Sequence, residues 1–359
     1  MLKPAYKLTF KPPAYNGGGG LLGAANSLAS SVGLGSGSGG KAVDTTAEPQ
    51  ASTVVDLTVS LDMDTPADSV MLVMGQVGTF RPERDGVLTV ELGYEDTDEM
   101  IQVITGTIVY IEPGLTTRRV VAHNAAHELM RAFAEQTYEN KSAGDILRDL
   151  AGQANIEVET ADDGITFPAY VIDGQRGIYH HLLKLAELCG FDLYVNSEGK
   201  LIFQRFAGGR TVHVFNYGTH ILEMDVSHTT PLAGEVIAWG ESPGGRKSQE
   251  DWAWLTKDFG GLKGSAGTGS PSLLLEKPVL RSRQAALTAA RASQTQLTRR
   301  TLRGRMVVLG HPKVKLGDAI RLQDVPEDDL NAIYQVRGIT HRITKKSGFT
   351  TTIDFRSKE

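Results

Sequence analysis

One cysteine in 359 residues, Cys189, excludes an intrachain disulfide and any zinc site built on several cysteines. That scarcity fits a reducing compartment such as the bacterial cytoplasm. No stretch approaches the roughly 18 uninterrupted apolar residues of a membrane-spanning helix. The amino terminus, MLKPAYKLTFKPPAY, lacks the apolar centre of a secretion signal, so a soluble, unprocessed chain without membrane insertion is expected. Strong charge of either sign is missing too: a net charge of −5 gives no general reason for nucleic-acid affinity. Nucleophile elbows, phosphate-cradling loops and dinucleotide fingerprints between strand and helix are also absent. No catalytic residue, cofactor-binding residue or metal ligand is therefore assigned, and no enzymatic activity is expected.

What the chain has is strand. Hydrophobic content of 40% and charge content of 22% are those of an ordinary globular protein. From Thr53 to Val121 one apolar run follows another, and VVDLTVSL sets Val55, Leu57, Val59 and Leu61 against Asp56, Thr58 and Ser60. SVMLVMG, VLTVELGY, IQVITGTIVYIEP and TRRVVAHN follow at the spacing of a barrel or sandwich. The end of the chain repeats the theme. Met306 to Leu309, Ala319 to Leu322, Ile333 to His341 and Phe349 to Phe355 favour strand, with turns at Gly317-Asp318 and Ser347-Gly348.

Between these blocks the periodicity changes. Ser142 and Asp145 form an S-x-x-D cap, and Ile146, Leu147, Leu150, Ala151 and Ala154 follow on one helical face. Ile178, Leu182, Leu185, Ala186 and Cys189 make a second stripe that Gly190 should cap, which makes Cys189 inert packing. FDLYV and KLIFQRF then pair across Asn196 to Gly199. The expected class is mainly β (α+β): a first β-barrel domain over 1–140 carrying a flexible Gly-rich arm at 16–50, an α+β insert over 141–206, and a second β-barrel domain over 207–359 with a loop at 241–272 and a helix at 280–298.

Several clusters invite a chemical reading. Asp62, Asp64 and Asp68 lack the glycine and closing glutamate of a calcium loop, so a solvated turn is expected. His123 and His127 lack a zinc protease's glutamate position, since Asn124 and Ala126 stand there, and an ordinary strand-to-helix corner leading into a helix from Ala125 to Thr137 is expected. His180-His181 is treated alike. Trp252 and Trp254 would share a face if extended, as a glycan or peptide platform or as a pin for their loop. Seven arginines with no acid lie between Arg281 and Arg305, either a solvated helix face or a surface for an acidic partner or phosphate.

Several stretches resemble the phage late control protein D family, which includes contractile-tail hubs and the hub portion of VgrG. They are LTVSLDMDTPADS, SAGDILRDLAGQANIEVE, EVIAWGESPGG, WAWLTKDF and the closing KVKLGDAIRL, YQVRGITHRIT and FTTTIDF. The resemblance covers nearly everything except residues 16–50, and its motifs are structural. It implies a homotrimer whose two barrels per subunit build a six-barrel ring, adapting a six-fold tube to a three-fold spike. The expected partners are a tail tube protein, a separate spike protein, other baseplate components, and the tape measure or cargo in the channel. The spike is expected as a separate polypeptide because VgrG chains continue where this one ends, at Glu359. Three copies carry −15 (3 × −5), which would make an acidic bore to which nucleic acid does not stick. Assembly in the bacterial cytoplasm, then incorporation into a phage tail, tailocin or extracellular injection system, follows. Two rivals are a tail-associated cell-wall hydrolase accessory, which would cleave peptidoglycan, and a carbohydrate-binding module, which would need Trp252 and Trp254 exposed.

Overall fold

Alternating apolar residues close one face of nearly every strand, and the sheet they build dominates the computed structural model, which describes residues 3–13, 43–44, 54–75, 81–97, 99–240 and 263–358. The first block holds β1 (Pro4–Lys11), β2 (Val43–Asp44), β3 (Val54–Asp62), β4 (Ser69–Gly75), β5 (Val87–Tyr94), β6 (Met100–Pro113) and β7 (Thr117–His123). The module between blocks runs α1 (Ala126–Arg131), β8 (Gln136–Ser142), α2 (Ala143–Gln153), β9 (Val158–Ala161), β10 (Thr166–Ile172), α3 (Ile178–Cys189), β11 (Asp192–Val195) and β12 (Leu201–Gln204). The last part holds β13 (Val212–Asn216), β14 (Ile221–His228), β15 (Glu235–Trp239), β16 (Gly264–Gly267), β17 (Ser272–Glu276), α4 (Arg283–Arg299), β18 (Leu302–Leu309), β19 (Ala319–Gln323), β20 (Ile333–Thr344) and β21 (Gly348–Ser357).

The mainly β, α+β class read from the sequence is the class of the structure. Strands of the two outer blocks join in one 13-stranded sheet, in the order β14-β18-β21-β20-β3-β4-β7-β6-β5-β1-β2, with β19 and β13 branching from β20. Among the described strands this path is open, so pairing closes neither block into a barrel. The branch arises because β20 is long. Its first residues, Ile333 to Gln335, pair with β19, while Gly338 to Thr344 pair with β3. A register shift between Val336 and Gly338 against β21 separates the two halves.

One core lies under this sheet and joins both blocks, from Leu8, Leu57, Val59 and Leu72 to Met306, Ile339, Ile353 and Phe355. Glycines make room for its aromatics: a Cβ on Gly304 would lie 2.1 Å from the Phe355 ring, and one on Gly310 2.0 Å from Phe349. A second core gathers Ile146, Leu150, Phe167, Leu182, Leu185 and Phe203. It also takes in Val236 and Ala238 of β15 and Ala285, Ala286, Ala289 and Ala290 of α4. The arginine-rich helix, distant in sequence, thus packs on the module.

Local signals act as read. Ser142 and Asp145 form a reciprocal capping box, with Asp145 N donating to Ser142 Oγ at 3.0 Å. Gly190, at φ 70°, ends α3 in the left-handed region. Two expectations are corrected. The helix read over Ala125 to Thr137 stops at Arg131, where Ala132 turns extended (φ −82°, ψ 137°), because Gln136–Ser142 pairs with β10. The acidic turn is solvated only in part: Asp64 to Pro66 are exposed as expected, but Asp68 is buried and Asp64 is ion-paired, for reasons given below. The arm at 16–50, apart from Val43–Asp44, and the Trp252 and Trp254 segment lie outside the described residues.

Candidate functional site

With no nucleophile, base or ligand set to build from, the surface of the long sheet is the first candidate. The face opposite the core carries two cross-strand rows that cross the junction between the blocks. One row runs Thr352, Thr340, Ser60, Ser69, His123, Thr107 over β21, β20, β3, β4, β7 and β6. The next runs Thr350, Arg342, Thr58, Met71, Val121, Tyr110 over the same strands. Thr105 and Thr89 continue the hydroxyl surface on β6 and β5, their Oγ1 atoms 3.2 Å apart. Threonine suits this place because its branched Cβ fits the pleat while its hydroxyl faces water.

Charge on this face comes in opposed pairs. Arg342 Nη2 meets Asp56 Oδ2 at 2.8 Å, Arg119 Nη1 meets Glu112 Oε2 at 3.0 Å, Lys7 Nζ meets Glu91 Oε2 at 3.2 Å, and Arg305 Nε meets Asp354 Oδ1 at 2.7 Å. Each pair spans two or more strands or neighbouring register positions and leaves little net field. Between these pairs the surface mixes hydroxyls with the exposed Met71 and Tyr110.

The acidic turn works as a seam between sheet and module. Asp68 Oδ1 accepts from Asp62 N at 2.8 Å and its Oδ2 from Asn124 Nδ2 at 2.6 Å, while Asn124 Oδ1 takes the N–H of Ala126 at the start of α1. Burial pushes the Asp68 carboxyl up to about 7, against the hydrogen bond from the Asp62 backbone. Burial also raises the Asp64 carboxyl, but Arg337, Arg356 and Arg300 together hold it below its usual range. Arg337 Nη2 reaches Asp64 Oδ1 at 3.0 Å and Arg337 Nη1 reaches Asp192 Oδ1 of β11 at 2.5 Å. Gln335 Nε2 adds a bond to Asp192 Oδ2 at 2.6 Å, and Arg356 takes the other oxygen of Asp64. The sequence separations, 143 to 292 residues, explain why no local pattern announced this seam.

The histidines have structural partners. His123 and His127 stack at 5.3 Å, and His123 Nδ1 lies 3.3 Å from the Asp68 carbonyl. His181 Nε2 lies 3.1 Å from the Asp173 carbonyl, and His180 meets Arg176. Among the described residues no group of three or more His, Cys, Asp or Glu is placed to hold a metal ion. Cys189 is buried, takes the Ile165 N–H on its sulfur, and burial raises its thiol to about 11, so it stays protonated packing. His341 is fully enclosed beneath the sheet, its Nδ1 2.9 Å from Thr351 Oγ1, and burial lowers it to about 3.

Three strands, β2, β13 and β14, end the sheet without a described neighbour on their far side. β14 pairs only with β18 and exposes Leu222 and Glu223, and β13 pairs only with β19 and exposes Val212 and Val214. Open edges carrying exposed apolar side chains are ready templates for another chain.

No family model matches the chain, and no curated protein sequence matches it. Solved structures do. The 43 kDa tail protein of prophage MuSo2 from Shewanella oneidensis superposes with a TM-score of 0.67 at 13% identity, over 89% of this chain and 97% of that one. A tail protein from Neisseria meningitidis MC58 gives 0.66 at 14%, over 98% and 97%. The E. coli c3393 protein gives 0.56 at 10%, over 85% and 73%; it is a type VI secretion system component with structural similarity to the T4 bacteriophage tail proteins gp27 and gp5. At such identities the likeness establishes the fold, and the fold is that of tail proteins.

Proposed function

We propose that this chain is the central hub of a contractile injection machine, a homotrimer that adapts a six-fold tube to a three-fold spike. The observation that carries the proposal is the joint sheet: two β blocks meet strand to strand at β3 and β20 and share one outward face, where a row rich in threonine and serine crosses the junction. A subunit that presents two tube-like units side by side supplies six such units when three copies close a ring. The division into blocks at 1–140 and 207–359, with the 141–206 module outside the ring, belongs to the same reading.

In this arrangement the hydroxyl face lines the channel. Thr340, Ser60, Ser69 and Thr107 offer hydrogen bonds that water satisfies equally well, and the paired charges give a passing polymer no field to hold it. Low adhesion therefore comes from local charge balance, rather than from the general acidity of −5 per chain. The open edges at β13 and β14 would meet a neighbouring copy or the tube protein, and a separate spike protein would dock at one end of the ring. Other baseplate components would surround it, and a tape measure or cargo would pass through. The chain acts by geometry and carries out no chemistry. Its place would be the bacterial cytoplasm during assembly and the particle afterwards; among the described residues no helix is long and apolar enough to cross a membrane.

Light scattering behind a sizing column tests the reading. A mass near 116 kDa (3 × 38.7) is expected. A monomer that stays monomeric after addition of the tube and spike proteins encoded beside it would overturn it.

A further inference from the structure

A groove of about 790 Å³ opens where α3, α4 and the ends of β20 and β21 converge. Helix α4 turns two unlike faces. Ala285, Ala286, Ala289 and Ala290 are buried in the second core, while Gln284, Thr288, Arg291, Thr295 and Arg299 line the groove. That spacing keeps one stripe along about 22 Å of helix. Arg300 and Arg303 extend the stripe past the helix end, and Arg337 and Arg356 face it from the sheet.

The charges in this groove are unevenly answered. Asp64, set between Arg337 and Arg356, shows how it takes a carboxylate: each oxygen is held by a different guanidinium. Asp192 answers Arg337 from the other side. Arg299 gives its Nε–H to the Lys358 carbonyl and lies over the Phe206 ring. Arg291, Arg300 and Arg303 are exposed and take part in none of the described ion pairs. Burial, together with the nearby Arg337, Arg303 and Arg300, lowers the Arg356 guanidinium, the mark of crowding among like charges.

We propose that the groove along α4 is a docking surface for a carboxylate-rich segment of another polypeptide, whose acidic side chains take up Arg291, Arg300 and Arg303 as Asp64 takes up Arg337 and Arg356. A nucleic acid fits less well. Of the rings that line the groove, Phe191 is covered by Arg205 and Tyr179 is buried, so no open face is left for base stacking. Gln284, Thr288 and Thr295 supply neutral hydrogen-bonding partners of the kind a peptide backbone uses.

The test uses the full chain and two fluorescent probes, an octaglutamate peptide and a twelve-nucleotide single-stranded DNA. The peptide is expected to bind with salt-sensitive affinity, and the triple variant Arg291→Gln/Arg300→Gln/Arg303→Gln to bind about tenfold or more weakly, as loss of three exposed ion pairs predicts. These side chains carry no described ion pair, so the variant should melt like the parent, which separates lost binding from lost folding. Equal peptide binding by parent and variant, no peptide binding by the parent, or tighter binding of the DNA would each overturn the proposal. None of these outcomes alters the mass of the assembly, so the hub reading stands or falls separately.

Discussion

The hydroxyl face of the sheet and the groove along α4 treat charge in opposite ways. On the face, Arg342, Arg119, Lys7 and Arg305 each stand against a carboxylate, and threonine and serine fill the space between them. In the groove, arginines gather faster than carboxylates, and burial, with Arg337, Arg303 and Arg300 close by, lowers the Arg356 guanidinium. A surface that must let material slide is best neutral at short range, since screening then removes what little field remains. A surface that must hold a partner gains from charges left waiting for it, at some cost to the isolated chain. Between the two lies the Asp64–Arg337–Asp192 seam, which belongs to both: it ties the sheet to the module and fills one end of the groove.

Breaking that seam carries the largest expected effect. Asp192→Ala removes the partner of both Gln335 and Arg337, whose side chains are largely covered, and leaves a guanidinium facing Asp64 alone. A loss of about 3–5 kcal/mol in chemical denaturation is expected, the usual consequence of stranding one half of a covered ion pair. Replacing Asp192 and Arg337 together by Leu should recover most of that loss, because a packed apolar pair needs no compensating charge. If the single variant melts like the parent, the seam is not what holds the module to the sheet.

Acid sharpens the contrast from beneath the sheet. His341 is lowered by burial to about 3 and His311, by burial and by His213, to about 4. For a group with a depressed folded pKa that charges on protonation, the unfolded chain binds protons first. Stability is therefore full above about 6.5 and falls as pH drops toward the folded values. Asp68 works the other way: raised to about 7 by burial, it is held more easily as pH falls. The clean measurement is thus a difference. His341→Leu should gain about 2 kcal/mol on the parent between pH 7 and pH 5, since the other groups cancel. An unchanged difference would place water or a proton acceptor beside Nε2, which has no hydrogen-bond partner in the structure.

The comparison also shows what a sequence makes legible. The Ser142–Asp145 capping box, the left-handed Gly190 and the alternation from Leu57 to Leu61 in β3 act within a few residues and could be read directly, whereas Val55, read onto the same face as Leu57, is exposed because the register shifts between Val54 and Asp56. That Thr58 stands opposite the apolar face of β3 was equally readable, while Thr340 reaches the same side only through the register shift between Val336 and Gly338. That their strands are neighbours was not, because β3 and β20 lie at opposite ends of the chain and pairing between them is selected by the shared core. The acidic turn misled for the same reason: Asp64 is exposed, as expected, but nothing local shows that Arg337 and Arg356 reach it from 273 and 292 residues away. The arginine helix was recognised, but its alanine face fits the second core through β15 and β16, strands whose sequence carries no hint of that contact.

The smallest effect tests the face itself. Arg342→Gln removes one exposed partner of Asp56, and such pairs contribute about 0–1 kcal/mol, so the denaturation midpoint should barely move. The consequence should appear instead in adhesion. With Arg342 gone, Asp56 adds an unbalanced negative charge to each copy of the face, and with Asp56→Asn alone the unbalanced charge becomes positive. On the charge-balance reading, the Asp56→Asn protein binds anionic polymers such as single-stranded DNA more than the parent does, while the double variant Asp56→Asn/Arg342→Gln returns to the parent level. If the double variant still binds like Asp56→Asn, neither the paired charges of the face nor the net charge, which the double variant restores to −5, sets the adhesion, and the charge-balance reading fails.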